Sequence, residues 1–236
     1  MKLNKIFILH YTRVPERREL MKHNLSDFEA DIDIEYITGY DAEDLTDADL
    51  IKYYNKDISE YNRKIVVYDG HLGNGVPPIS EVNRNGISCN IKHLIAMDKI
   101  ANGEDEFAVI LEDDAIPYDS DFIKNINETI NEIELDKWGC IFLGNGLGNN
   151  FIGKIAKKRV TDTLYKVGHP STNCTEGYLL KKATAKKLLK SMIPFQQIID
   201  WELSCALYEN DVNVYWRLPS LVYQGSITGK FKSTIR

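Results

Sequence analysis

The chain has 236 residues, 43% of them hydrophobic and 27% charged, with a formal net charge of −6. That balance excludes a disordered tail and a fibrous repeat, and the scattered Lys and Arg of an acidic chain lack the basic footprint of a nucleic-acid binder. No apolar run approaches the roughly 20 residues needed to cross a bilayer, so the expectation is a soluble, cytoplasmic protein without a transmembrane segment, folded as a single domain over residues 1–236.

The first apolar run, Ile6 to Leu9, has no small-residue cleavage site after it and predicts a core strand rather than a secretory signal. Pro15 stands where the first turn of a helix tolerates proline, which predicts a helix to about Leu25. A second strand is expected at Ile34 to Thr38, ended by Gly39. The stretch from Asp41 to Arg84 is the least regular. It holds acidic residues, then Tyr53, Tyr54 and Tyr61, a strand-like run Ile65 to Tyr68 and a Gly/Pro-rich tract. An insertion on the fold is expected there, at about residues 45–84.

From Ile87 to Ala101 the apolar positions Ile91, Leu94, Ile95 and Ile100 recur at helical spacing, with Gly103 as the stop. Phe107 to Leu111 is unbroken apolar sequence, the composition of a strand buried on both faces. Phe122, Ile126, Ile130 and Ile133 mark the core stripe of a further helix. Cys140 to Leu143 reads as a strand, Glu176 to Leu180 as a strand entering a Lys-rich helix at Ala183 to Met192, Asp200 to Tyr208 as a helix and Val212 to Trp216 as a strand. This alternation predicts an α/β layer fold with a mostly parallel central sheet flanked by helices.

Glu112, Asp113 and Asp114 follow directly on the buried strand, at the edge where open α/β sheets place their ligands. Adjacent carboxylates repel one another, and a hard divalent cation such as Mn²⁺ or Mg²⁺, shared with a diphosphate, would neutralise them; a solvated turn is the alternative. Asp200 opens a helix and serves either as its cap or as a functional carboxylate. Asp41 could accept hydrogen bonds from a ribose or base, or be an ordinary turn residue. His10, His93 and His169 are uninformative alone. Gly144, Gly146 and Gly148 imitate a dinucleotide loop but lack the third glycine at the proper spacing, so a flexible turn is expected. Cys89, Cys140, Cys174 and Cys205 are far apart and show no CxxC or Cys/His ligand spacing, which argues against zinc and against a disulfide framework.

The segments IFILHYTRVPERRELM, TGYDAEDL, ISCNIKHLIAMDKIANGEDEFAVILEDDA, TEGYLLKKATAKKLL, IPFQQIIDWEL and LPSLVYQGS occur in an order and spacing that resembles glycosyltransferase family 25, over most of the chain outside roughly Leu45 to Arg84. The resemblance implies a GT-A-type nucleotide-sugar-binding fold and a UDP-sugar donor. It implies Mn²⁺ (or Mg²⁺) as cofactor and inverting transfer of a hexose, galactose or glucose, to a glycan or other hydroxyl-bearing acceptor. It places Asp114, with Glu112, as metal ligands and Asp200 as the catalytic base. Leu9, Arg17, Gly39, Asp41, His93, Glu112, Asp113, Gln224 and Ser226 are the substrate contacts it implies. Gly86, Ser88 and Lys92 depart from the family's usual residues. A nucleotide-sugar-binding module without catalysis and a metal-dependent nucleotidyltransferase are the alternatives.

Overall fold

A computed structural model describes residues 1–28, 31–57, 81–144, 158–167 and 174–234. In chain order the elements are β1 (Lys5–Leu9), α1 (Pro15–Leu25), β2 (Asp33–Ile37), α2 (Asp47–Tyr53), α3 (Arg84–Asn102), β3 (Phe107–Glu112), β4 (Ala115–Pro117), α4 (Phe122–Asn131), β5 (Cys140–Phe142), β6 (Lys158–Arg159), β7 (Leu164–Val167), β8 (Gly177–Lys181), α5 (Lys182–Ser191), α6 (Ile199–Glu209), β9 (Val214–Arg217) and β10 (Val222–Gln224).

The apolar runs have a direct structural reason. Side chains alternate across a strand, so Phe107, Val109 and Leu111 of β3 enter one hydrophobic cluster while Ala108 and Ile110 enter another. β1 divides in the same way, Ile6 and Ile8 to one side and Phe7 and Leu9 to the other. A strand covered on both faces has no position left for a polar residue. One cover is built from α1 and α4, through Met21, Leu25, Phe122, Ile126 and Ile130. The opposite cover is α3, α5 and α6, through Ile91, Leu94, Leu188 and Leu203.

Eight strands form one sheet in the order β2-β1-β3-β8-β5-β9-β7-β6. β1 pairs in parallel with β2 and β3, and β5 with β9, whereas β8 is antiparallel to both β3 and β5. β7 is antiparallel to β9 and to β6. Among the described strands of this sheet, only β7 and β8 therefore run against β1. The sheet is mostly parallel in direction, as the alternation predicts, with one inverted strand at its centre.

That inversion positions the site. Leu9 stands opposite Glu112 where β1 and β3 end together, and Gly177, the first residue of β8, stands opposite Leu111. The Glu112 N–H donates to the Glu176 carbonyl at 2.9 Å. β8 thus brings Thr175 and Glu176 to the edge where the parallel strands deliver their carboxylates. In a separate two-stranded sheet, β10 pairs with β4 and sets Gln224 opposite Ala115.

The stretch expected to be irregular contains α2. Thr46 caps it by accepting from the Asp49 N–H at 3.2 Å, and the Asp49 carboxylate accepts from the Thr46 N–H at 2.9 Å. This is a capping box written in the sequence as T-x-x-D. Tyr61, the run Ile65 to Tyr68, the Gly/Pro-rich tract, Gly146, Gly148 and His169 lie outside the described residues. β4, β6 and β7 are too short to show a periodicity and were not expected from it. Among the described residues, no helix is long and apolar enough to cross a membrane.

Ile110 is fully buried at the centre of the sheet. Ile110→Ala is expected to lower the unfolding free energy by about 2–5 kcal/mol, measured by urea denaturation. A loss no larger than about 0.5 kcal/mol, the size of an ordinary surface effect, contradicts burial on both faces.

Candidate active site

Helical spacing puts Arg17, Met21 and Leu25 on the buried stripe of α1. The two apolar members anchor that helix in the core, and this aims Arg17 at the end of β3. Its Nη1 lies 2.8 Å from Asp113 Oδ1, while Nη2 donates to the Lys232 carbonyl at 2.6 Å. His10 Nδ1 lies 2.9 Å from the other Asp113 oxygen, Oδ2, which also accepts from the Tyr11 N–H at 2.9 Å. Asp113 is 4% exposed and has both oxygens engaged. One of the three adjacent carboxylates is therefore neutralised by the chain's own guanidinium.

Glu112 and Asp114 are left with a different environment. Glu112 continues the face of Ala108 and Ile110, towards α3. Its Oε1 accepts from the Thr175 hydroxyl at 2.8 Å and lies 3.5 Å from His93 Nε2. Burial pushes this carboxyl up to about 7; the Asp113 charge adds to the effect, and the Thr175 bond and Arg17 oppose it. Asp114 is pushed up to about 6, by burial first and then by the Glu112 charge. Its Oδ2 accepts from the Ser226 N–H at 3.3 Å, and its carbonyl accepts from the Gly225 N–H at 2.8 Å. Oδ1 of Asp114 has no hydrogen-bond partner among the described residues, although the residue is only 3% exposed. Two carboxylates that resist ionisation side by side, one with an unsatisfied buried oxygen, make a donor set that fits a hard divalent cation. Asp113 is not part of that set.

Asp41 is committed inwards. It pairs with Lys92 and accepts from the Thr12 hydroxyl, and the Thr12 N–H donates to its Oδ2 at 3.1 Å. Lys92 also donates to the His10 carbonyl at 2.6 Å. Burial opposes the charge on Asp41, but the Lys92 and Thr12 hydrogen bonds outweigh it and hold the carboxyl below its ordinary range. Tyr40 adopts the left-handed conformation, with φ 64°, and the Ser88 hydroxyl donates to its carbonyl at 2.6 Å. Ser88 and Lys92, both departures from the family pattern, thus fasten the loop after β2 to α3. Gly39 in that loop is exposed, with nothing within 4 Å of where a Cβ would stand.

Asp200 lies in the first turn of α6, but the cap is Ile198 and makes no side-chain cap bond. Glu202 takes up the preceding backbone instead, its Oε2 accepting from the Gln197 N–H at 3.1 Å. Asp200 Oδ1 stands 3.4 Å from the Thr175 hydroxyl, whose proton is directed at Glu112. Thr175 therefore spans the carboxylates of Glu112 and Asp200. His93 is completely buried, with Nδ1 2.8 Å from the Tyr178 hydroxyl. Burial pushes its imidazole down to about 3, against the opposing pull of the Asp200 charge, so the ring is neutral.

Leu9, Arg17, Glu112, Asp113, Asp114, Gln224 and Ser226 line one pocket at the strand edge, together with Cys89 and Lys92. Gly39, Asp41, His93 and Asp200 are not in its wall. His10 is uninformative in the sequence, and Thr175 and Tyr178 are not singled out there; the importance of all three comes from the residues they meet. Gly144 also has a local reason: a Cβ there would fall 2.2 Å from Glu176 Oε1, so the absence of a side chain makes room for that buried carboxylate. None of the four cysteines forms a disulfide.

Two outcomes are expected. Lys92→Met leaves the buried Asp41 carboxylate without its cation and should lower stability by about 3–5 kcal/mol in denaturant titration; a change under about 1 kcal/mol removes the pair from its structural role. Asp114 has a folded-state pKa above its ordinary 3.8. Its stabilising contribution is therefore complete below about pH 4 and lost as pH rises through about 6. Thermal melts across that window should fall more steeply for the wild type than for Asp114→Asn, and identical profiles contradict the assignment.

A search of curated proteins finds no match. Among solved structures the chain is similar to S. aureus TarS 1-349, at 10% identity over 95% of this chain and 60% of that one, with a TM-score of 0.43. It is similar also to apo-UDP-glucose pyrophosphorylase, at 9% identity over 94% of this chain and 74% of that one, with a TM-score of 0.42. The chain thus spans about 60% of the length of the TarS structure. Residues 3–202 match the family described as glycosyltransferase family 25 (LPS biosynthesis protein). With that match running from β1 through the acidic strand end to the first turn of α6, the chain belongs to glycosyltransferase family 25.

Proposed function

We propose that this protein is a metal-dependent, inverting hexosyltransferase that moves galactose or glucose from a UDP-sugar to the hydroxyl of a glycan or other acceptor. The observation that supports it best is the Asp114 carboxylate, buried beside Glu112 with one oxygen unsatisfied, in a pocket at the edge where α/β sheets hold ligands. Asp114 and Glu112 are the residues to hold Mn²⁺ (or Mg²⁺), which when bound supplies positive charge against the leaving diphosphate. Gln224 and Ser226 line the same pocket and offer an amide and a hydroxyl to the nucleotide or its phosphates.

Arg17 and Asp113 act chiefly on position. Their buried ion pair fixes the strand exit, so the neighbouring carboxylates keep their directions. Asp200 serves as the base. It takes the proton of the acceptor hydroxyl as that oxygen bonds to the anomeric carbon, and the bond to the diphosphate oxygen breaks with its electron pair leaving on the diphosphate. Attack from the face opposite the leaving group inverts the centre. Thr175, between Asp200 and Glu112, holds the base and the donor site in register.

Asp114→Asn is expected to lower Mn²⁺-stimulated transfer by about 10²-fold or more, read as product formed from UDP-galactose or UDP-glucose. Full activity in that variant rules out the metal assignment. Asp200→Asn is expected to lower turnover by about 10²–10⁴-fold while leaving the UDP-induced thermal shift in place. Loss of both binding and turnover there indicates a structural aspartate instead. Pyrophosphate released from a nucleoside triphosphate would identify a nucleotidyltransferase.

A further inference from the structure

A second set of donors begins at the Cys89 and Glu112 wall of the same pocket and continues inward to His93, and the proposed transfer chemistry calls only on Glu112 among the three. Cys89 and His93 are one helical turn apart on α3. The cysteine sulfur, a ring nitrogen of His93 and a carboxylate oxygen of Glu112 all lie within 4.8 Å of one another. His93 is 0% exposed, and its ring stacks on Tyr178 with centroids 5.7 Å apart. Its Nε2 faces Glu112 Oε1 at 3.5 Å and makes no hydrogen bond among the described residues. A fully buried ring nitrogen that faces a carboxylate, makes no hydrogen bond among the described residues and belongs to a residue clustered with a thiol is the second observation that distinguishes this cluster from chance proximity.

The surroundings hold two of the three donors in place. The Tyr178 hydroxyl, 2.8 Å from His93 Nδ1, accepts from that nitrogen in the tautomer that leaves the Nε2 lone pair for a cation. The Thr175 hydroxyl fixes Glu112 at 2.8 Å from the other side. Outer hydrogen bonds of this kind orient ligands in built metal sites. Cys89 is half-buried and borders the pocket, which leaves an open approach for an ion and for a fourth ligand. Sulfur and imidazole together select zinc-class cations over Mn²⁺ or Mg²⁺, which prefer oxygen alone.

We infer that Cys89, His93 and Glu112 bind one thiophilic divalent cation of the zinc class, at a position separate from the hard-ion position at Asp114. On binding, the Cys89 thiol gives its proton to solvent and the sulfur becomes a thiolate ligand. Because Glu112 belongs to both donor sets, a zinc-class ion withdraws it from the sugar-nucleotide site and inhibits transfer.

Co²⁺ added to the full-length, metal-free protein is the probe, since a cobalt thiolate shows a near-ultraviolet charge-transfer band that oxygen ligands do not give. One equivalent with that band is expected for the wild type. Cys89→Ser should lose the band and bind Zn²⁺ roughly tenfold or more weakly in calorimetry. Cys174→Ser removes the other half-buried thiol near the acids, and Asp114→Asn disables the hard-ion position; both should keep the band. Retention of the band in Cys89→Ser, or its loss in either of the other two variants, overturns the inference. If Cys89→Ser does not fold, protection of the wild-type Cys89 thiol from alkylation by one equivalent of Zn²⁺, read by peptide mass, decides the same point, and no protection overturns it. These readouts do not involve transfer, so their failure is distinguishable from failure of the proposed activity.

Discussion

The ion pair between Arg17 and Asp113 is the constraint on which the site depends. Both residues are nearly inaccessible, at 4% exposure each, so removing either partner strands a charge away from water. The pair joins α1 to the exit of β3, and through His10 and Tyr11 the same carboxylate clamps the exit of β1. Its electrostatic effect is selective. It satisfies the middle acid of three directly, while on the outer two its attraction is outweighed by their burial.

A second buried pair, Lys92 with Asp41, does the corresponding work on the other side of β1. Asp41 and Asp114 show how burial and partners compete. Both lose solvation, but Asp41 has an ammonium group and two hydrogen bonds from Thr12 and stays below its ordinary range, whereas Asp114 has one long bond from Ser226 and a like charge nearby and rises to about 6. The carboxylates at this edge are thus held in the ionised form where the chain supplies a direct cation and resist ionisation where it does not. The departures at Ser88 and Lys92 fit this division, because both fasten the loop after β2 and leave Glu112 and Asp114 untouched.

Much of this site was legible as a list and little of it as an arrangement. The acidic trio could be placed at a strand exit because Phe107 to Leu111 has no polar residue, and Pro15 marked the start of the helix after β1; Arg17 was singled out only by the family resemblance, and its place on the buried stripe with Met21 and Leu25 is a finding of the structure. What the trio's members do individually was not legible. Three neighbouring carboxylates look alike in sequence, and their separation into one structural and two available groups follows from a guanidinium 96 positions away. The four cysteines show no CxxC or Cys/His ligand spacing along the chain that argues for zinc, whereas the structure brings Cys89 and His93 to Glu112 where α3 packs on β3.

The sequence by itself determined the layers of this protein, the identity of its core strands and the edge at which its acids emerge, because burial leaves a periodic trace in local composition. Only the tertiary structure decided the direction of β8, and with it the arrival of Thr175 between Glu112 and Asp200. A mostly apolar strand of five residues reads the same whichever way it runs, and its direction is set by the neighbours with which it exchanges hydrogen bonds.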